Sequence, residues 1–183
     1  MIIKSFFDNK VKLLQQNRFR DIRGFFSETF NKKQLIKIGI KDTFVQDNFS
    51  FSYNKGVVRG LHFQTPPMQQ SKLIRVVNGK ILDIVVDIRK KSKTYGQYKS
   101  FIISRQNWRQ IYISAGFAHG FCTLEKNTDI EYKVSNYYSK KHERTLQWND
   151  KYLNINWRID KNKVILSSKD KKAINFINFI SPF

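Results

Sequence analysis

From about residue 70 onward the chain alternates apolar and polar positions in short runs separated by turn residues. Residues 73–77 and 80–88 are rich in β-branched side chains and flank Asn78-Gly79, the dipeptide that most strongly favours a tight hairpin. In the second run Leu82, Ile84, Val86 and Ile88 fall on one face. Ile81, Asp83, Val85 and Asp87 fall on the other, so that face carries carboxylates among apolar groups. Further strands are predicted over 98–104, 110–114, 120–124 and 129–134. Nearer the start, Asn31 reads as the N-cap of a short helix over 32–38, with Leu35, Ile36 and Ile38 apolar and Gly39 as its stop. Segment 170–183 mixes Lys with Ile and Phe and reads equally as a helix or a packed tail. Many short strands with turns between them predict an all-β fold, an antiparallel sandwich of jelly-roll type with a few short helices.

Composition agrees with a single domain over 1–183. The chain has 183 residues, 40% of them hydrophobic and 15% aromatic, too rich for a disordered basic tail. A single cysteine, Cys122, excludes an intramolecular disulfide framework and a cysteine-based zinc site. No opening run resembles a signal peptide, and no stretch approaches the roughly 18–20 apolar residues of a membrane span, so a cytoplasmic protein is expected. The charge complicates this picture: 34 Lys+Arg against 14 Asp+Glu give a formal +20. Such a balance is a footprint of nucleic-acid binding when it is gathered in a patch. Here the basic residues are scattered, with short clusters at Arg89-Lys90-Lys91, Lys140-Lys141 and 169–172 beside turn signals. A solvated basic surface is the better reading, and no nucleic-acid partner is expected.

The candidate chemistry begins with the histidines. His142 follows Lys140-Lys141 in a polar stretch and reads as a surface residue. His62 and His119 each stand among apolar residues and glycines on predicted strands, where a single histidine is more often a satisfied core residue than a functional one. A barrel lined by two imidazoles resembles a cupin. Metal-binding cupins place His-x-His plus a carboxylate on one strand, however, and the second position here is Gln64, so no metal is expected. Arg59, His62, Gln64 and Lys72 cluster in sequence, and burying so much polarity without a use would be costly. His119 and Glu131 or Tyr132 lie on successive strands that suit the same cavity. Histidine as base, tyrosine as acid and lysine beside an oxyanion suit proton abstraction next to a carbonyl. They also suit a passive anion-binding pocket.

Several runs resemble the dTDP-4-dehydrorhamnose 3,5-epimerase family. They are Arg20-Asp21-Ile22-Arg23-Gly24-Phe25-Phe26-Ser27-Glu28, Phe44-Val45-Gln46-Asp47-Asn48-Phe49-Ser50 and Val58-Arg59-Gly60-Leu61-His62-Phe63-Gln64. Further blocks are Gly116-Phe117-Ala118-His119-Gly120-Phe121, Tyr132-Lys133-Val134-Ser135-Asn136-Tyr137-Tyr138-Ser139, Leu146-Gln147-Trp148-Asn149-Asp150 and Leu166-Ser167-Ser168-Lys169-Asp170. They occur in family order and leave only the last dozen or so residues unmatched.

The resemblance implies a metal-independent cupin jelly roll with no cofactor. It implies a dTDP-sugar substrate, dTDP-4-dehydro-6-deoxy-D-glucose, inverted at C3 and C5. His62 matches the family's general base, Asp170 its carboxylate partner, Tyr132 the proton donor on the opposite sugar face and Lys72 the group beside the C4 oxygen, with His119 nearby. Arg23, Glu28, Gln46, Asp47, Asn48, Arg59, Glu143 and Lys169 match binding positions, and Tyr138 an aromatic that stacks on thymine. Arginines suit pyrophosphate because they meet its oxygens bidentately. For Tyr137 core packing or a cross-strand pair is expected; Asp83 and Asp87 have no firm assignment, Asp83 reading as a hydrogen-bonded structural carboxylate or as a group that orients His119. The resemblance implies a homodimer with strand exchange near the N-terminus, an arrangement in which part of the site can come from the partner subunit. Related enzymes acting at one carbon keep the base dyad and stand as the alternative. A basic nucleic-acid module and a silent sugar-binding cupin are the readings from other classes.

Overall fold

A computed structural model describes residues 2–183. Two antiparallel sheets face each other. The first runs in the order β1 (Ile2–Phe6), β2 (Val11–Gln15), β10 (Arg109–Ile113), β7 (Lys72–Asn78), β12 (Thr128–Val134) and β5 (Gln46–Ser52). The second runs β13 (Glu143–Thr145), β6 (Val58–Gln64), β11 (Phe117–Thr123), β8 (Lys80–Asp87) and β9 (Tyr98–Ser104). A separate hairpin, β3 (Phe19–Asp21) with β4 (Gly24–Phe26), is exposed along both strands. This is the expected jelly-roll sandwich.

Three apolar layers hold the sheets. Between them lie Ile74 and Val76 of β7, Ile81 and Val85 of β8, and Phe121 and Ile130. The outer face of the first sheet presents Leu14, Leu73 and Tyr112 to Leu35 of α1 (Lys32–Lys37) and to Ile40. Asn31 caps that helix, its side chain accepting from the Gln34 amide, and Gly39 at φ +81 ends it, as the pattern predicts. The outer face of the second sheet carries Leu61, Phe63, Leu82, Ile84 and Val86, covered by Leu146, Trp148, Leu153, Trp157 and Phe176 of the C-terminal segment. Each fully buried Leu or Ile contributes about 2 kcal/mol relative to an exposed one. Residues 170–183 resolve as a packed tail: after α2 (Ser168–Lys171) only one 3-10 turn follows, at Phe176–Asn178. The Phe176 amide anchors it by donating to Asp150 at 2.7 Å.

Asn78-Gly79 does not close a hairpin. β7 pairs with β10 and β12, whereas β8 pairs with β11 and β9, so the dipeptide carries the chain from one sheet to the other. The local turn preference sets a sharp reversal, with Gly79 at φ +80, but not the pairing that follows. Both strands bury apolar residues on two faces and therefore take interior places in separate sheets.

The irregularity that matters most for the site lies between β6 and β11. His119 pairs with His62 and Phe121 with Arg59, so three steps on β6 oppose two on β11. The extra residue is a bulge, and it turns both Arg59 and His62 to the interior, although their odd spacing would separate them on a regular strand. Gly60 makes this possible: at φ +129, a Cβ there would stand 2.5 Å from the Gly120 Cα and 2.8 Å from the His119 carbonyl oxygen. Gly60→Ala combines backbone strain with overpacking, and about 3 kcal/mol of lost stability, or a fall in Tm of roughly 6–12 °C, is expected. Gly24→Ala is the comparison, because Gly24 shares a φ of +133 but has nothing within 4 Å of its absent Cβ. Its loss should be near 1 kcal/mol in thermal unfolding. Equal losses at the two sites would show that the β6–β11 approach is not the constraint.

Candidate active site

The sandwich opens into a cavity of about 900 Å³ between the sheets. One wall is the second sheet, from which β6 supplies Arg59 and His62 and β11 supplies His119. The facing wall is the first sheet, with Lys72 and Ile74 from β7 and Ile130 and Tyr132 from β12. The C-terminal segment closes one side with Leu166, Ser167, Lys169 and Asp170. A recess of about 280 Å³ continues past His62, Lys72 and Tyr132 towards Gln46, Asn48 and Gln70.

His62 and Asp170 form the best-defined pair. Nε2 of His62 lies 2.5 Å from Oδ1 of Asp170, and the carboxylate is almost fully buried. Ser167 donates to the other carboxylate oxygen at 2.9 Å, while its own oxygen accepts the Asp170 amide at 3.1 Å. Burial opposes ionisation of Asp170, but the hydrogen bonds from His62 and Ser167 prevail and hold the carboxyl below its ordinary value. An ionised Asp170 accepts a hydrogen bond from Nε2–H, which leaves the lone pair of a neutral His62 on Nδ1. The pair therefore fixes the tautomer and favours a charge that forms on the ring.

His119 and Asp83 make a second, deeper pair at 2.8 Å, so the carboxylate is hydrogen-bonded to the ring that its second reading has it orient. Burial pushes His119 below its ordinary value against the attraction of Asp83, with Lys72 and His62 adding to the push. Burial also brings Lys72 down to about 8, opposed by Asp83 and Glu143. Lys72 is still an ammonium at neutral pH, and its Nζ donates weakly to the His62 carbonyl at 3.4 Å. Burial raises the Tyr132 phenol, partly offset by Arg59, so it stays protonated as a proton donor must. At the mouth, Glu143 accepts from Lys169 at 2.6 Å and from the Tyr138 hydroxyl at 3.1 Å. These bonds outweigh its burial and keep the carboxyl below its ordinary value.

Most of the residues singled out in the sequence meet here: His62, Lys72, Tyr132, Asp170, Arg59, His119, Tyr138, Glu143 and Lys169 line the main cavity. Gln46 and Asn48 line the recess, bonded to each other at 2.8 Å. Three residues stand elsewhere in the single chain. Asp47 points from the opposite face of β5 to Lys133, 2.8 Å away, because neighbours along a strand alternate faces. Glu28 accepts from Asn31 and Gln34 at the start of α1. Arg23 sits on the β3–β4 hairpin, paired with Asp21 and 85% exposed. Tyr137, expected to pack in the core or in a cross-strand pair, is instead 62% exposed and lies outside the strands. His142 is half-buried, its Nδ1 2.8 Å from the Ser139 hydroxyl. Ser167 was not anticipated, although Ser167-Ser168-Lys169-Asp170 has capping-box spacing, a signal that the two residues meet. Among the described residues no group of three or more His, Cys, Asp or Glu is placed to hold a metal ion, and no helix is long and apolar enough to cross a membrane.

Comparison with known proteins agrees with this geometry. The family model described as dTDP-4-dehydrorhamnose 3,5-epimerase matches residues 9–178. A curated dTDP-4-dehydrorhamnose 3,5-epimerase of Shigella flexneri is 45% identical, over 92% of this chain and 92% of its own. The crystal structure of the enzyme of that name from Bacillus anthracis, with TDP and PPi bound, superposes with a TM-score of 0.92 at 45% identity, covering 96% of this chain and 99% of the other. A Legionella pneumophila dTDP-6-deoxy-D-glucose-3,5-epimerase in complex with dTDP-4-keto-L-rhamnose also gives 0.92, at 40% identity, covering 98% and 94%. Fold, cavity and sequence together make this chain a member of the dTDP-4-dehydrorhamnose 3,5-epimerase family.

Proposed function

We propose that the protein inverts C3 and C5 of dTDP-4-dehydro-6-deoxy-D-glucose to give dTDP-4-dehydro-L-rhamnose. The observation that carries this reading is the placement of His62 and Tyr132 on facing walls of one cavity. Inversion at a carbon needs a base on one face and an acid on the other. His62 takes the proton from a carbon beside the C4 ketone, and the electron pair moves onto the ketone oxygen as an enolate. The imidazolium is stabilised by Asp170, the enolate oxygen by the Lys72 ammonium. The enolate carbon then takes the Tyr132 proton from the opposite face; the tyrosinate and the imidazolium return to their starting states by exchange with water. C3 and C5 both flank C4, so one set of groups serves both carbons.

At the nucleotide end, Arg59 and Lys169 suit the pyrophosphate and Tyr138 the base, with Gln46, Asn48 and Glu143 beside them. Arg23 and Glu28, on and just after the N-terminal hairpin, join a site only through a second subunit, and a homodimer exchanging that segment supplies that role, whereas Asp47 on β5 stays with Lys133. The exposed Phe19, Ile22 and Phe26 on and beside that hairpin support such a cover. The single cysteine, Cys122, is buried and free, which suits a cytoplasmic setting.

In deuterated water the unaltered enzyme should exchange both the C3 and the C5 proton of the keto sugar, read by NMR. His62→Ala should reduce exchange at both carbons by roughly 10²–10⁴-fold. Tyr132→Phe should leave C3 exchange largely in place and damage inversion. Exchange at C3 alone would assign the protein to the one-carbon relatives; exchange at neither, in a folded protein, would sink the proposal. A second test is the pH profile. Lys72, lowered to about 8, carries its stabilising charge below that value and loses it as pH rises through it. The kcat/KM of free enzyme and substrate should therefore fall above about pH 8. Lys72→Arg, charged throughout, should be slower but lose this alkaline limb. An unchanged limb in that variant would assign the titration to another group.

A further inference from the structure

The loop carrying Tyr138 makes few apolar contacts: Tyr137 and Tyr138 are both exposed. An amide on β6 supplies two of its hydrogen bonds, beside those from Gln70 to the Asn136 carbonyl and from the Tyr138 hydroxyl to Glu143. Gln64 is buried, with 4% of its surface accessible, and lies on the same strand as His62, two residues on. Its Nε2 donates to the Met68 carbonyl at 2.5 Å and to the Tyr137 carbonyl at 3.1 Å. Its Oε1 accepts the Ser139 amide at 2.6 Å. The two loop bonds fall on the residues immediately before and after Tyr138, so the tyrosine is bracketed. A supporting bond comes from Gln46, whose Oε1 accepts the Tyr138 amide at 3.1 Å. On the far side of the loop, β13 is paired to β6 with Glu143 opposite Gln64, so the segment stays attached at that end even without the amide.

We infer that Gln64, at the position where metal-binding cupins carry a second histidine, is a positioning residue that fixes Tyr138 at a set distance from the base His62. This inference rests on the reading of Tyr138 as a contact for the nucleotide base. Both donors of the amide are used and its oxygen is satisfied. Strand spacing then sets the separation between the proton-abstracting end of the cavity and the end that receives the nucleotide. Loss of the amide frees the loop without touching His62, Asp170 or Lys72. Binding of the nucleotide suffers, and the chemical step does not.

The test compares Gln64→Met, close in size and without the hydrogen bonds, with Gln64→Glu, which keeps an acceptor for the Ser139 amide and loses both donors. The Kd of dTDP is measured by calorimetry, amide hydrogen exchange over 136–142 by mass spectrometry, and kcat with the keto sugar, with Tm as the check on folding. In Gln64→Met, Kd should rise roughly tenfold and loop exchange accelerate by at least about tenfold, with kcat within about threefold of the unaltered enzyme. Gln64→Glu should fall between the two. If the Met variant does not fold, the Glu variant decides alone by the same readouts. Unchanged Kd and loop exchange would overturn the inference, and so would a fall in kcat at constant Kd, which would make Gln64 a partner of the base instead. Looser loop exchange and weaker dTDP binding in a protein that shows no proton exchange on the sugar would support the anchor while removing the proposed activity.

Discussion

The strands β6 and β11 touch at Gly60 and Gly120 with no room for a side chain on Gly60, and the site depends on that contact. The bulge it accommodates rotates one stretch of β6 by a residue. As a result Arg59 and His62 share the cavity face, while Val58, Leu61 and Phe63 share the outer core. Without the bulge, a strict alternation would send either the arginine or the histidine into the apolar layer under Trp148 and Trp157. The cost of an uncompensated polar group there is several kcal/mol, so the local irregularity is cheaper than regularity.

Once these groups face inward, burial governs their chemistry. A sandwich interior tolerates ionisable side chains only when each has a partner, and the site is built from such partnerships: His62 with Asp170, His119 with Asp83, Glu143 with Lys169. Lys72 lacks a close carboxylate and responds by titrating lower than an ordinary lysine. Asp83 keeps one buried oxygen without a hydrogen-bond partner among the described residues, two strands from His62 across the second sheet. This uneven satisfaction separates an imidazole held by a carboxylate from a cation with no close counter-charge, the distribution that the proposed enolate chemistry uses.

Much of this was legible in the residues. The strand faces of β8 and the capped helix α1 follow from alternation and local capping, which act over a few residues. Asn78-Gly79 misled because a turn dipeptide reports the reversal of the chain and not the partner of the next strand; that choice is made by long-range burial. The bulge was invisible for a related reason, since alternation assumes one residue per step. For Tyr137 aromatic character suggests core packing or a cross-strand pair, but its backbone is bound at the surface by Gln64. Arg23, Glu28 and Asp47 matched motif positions without lying in the cavity, because each is held by partners outside it: Arg23 by Asp21, Glu28 by Asn31 and Gln34, and Asp47 by Lys133. The charge of +20 narrows in the same way: Arg59, Lys72 and Lys169 face the cavity, and much of the rest lies on the exposed surface.

The placement of acid and base on facing walls is open to direct inspection. A crystal structure of the protein with a dTDP-linked hexose that cannot react would show it. The sugar ring is expected between β6 and β12, with His62 on one face and the Tyr132 hydroxyl on the other, and with Lys72 within hydrogen-bonding distance of the C4 substituent. A ring bound with His62 and Tyr132 on the same face, or seated outside the cavity between the two sheets, would contradict it.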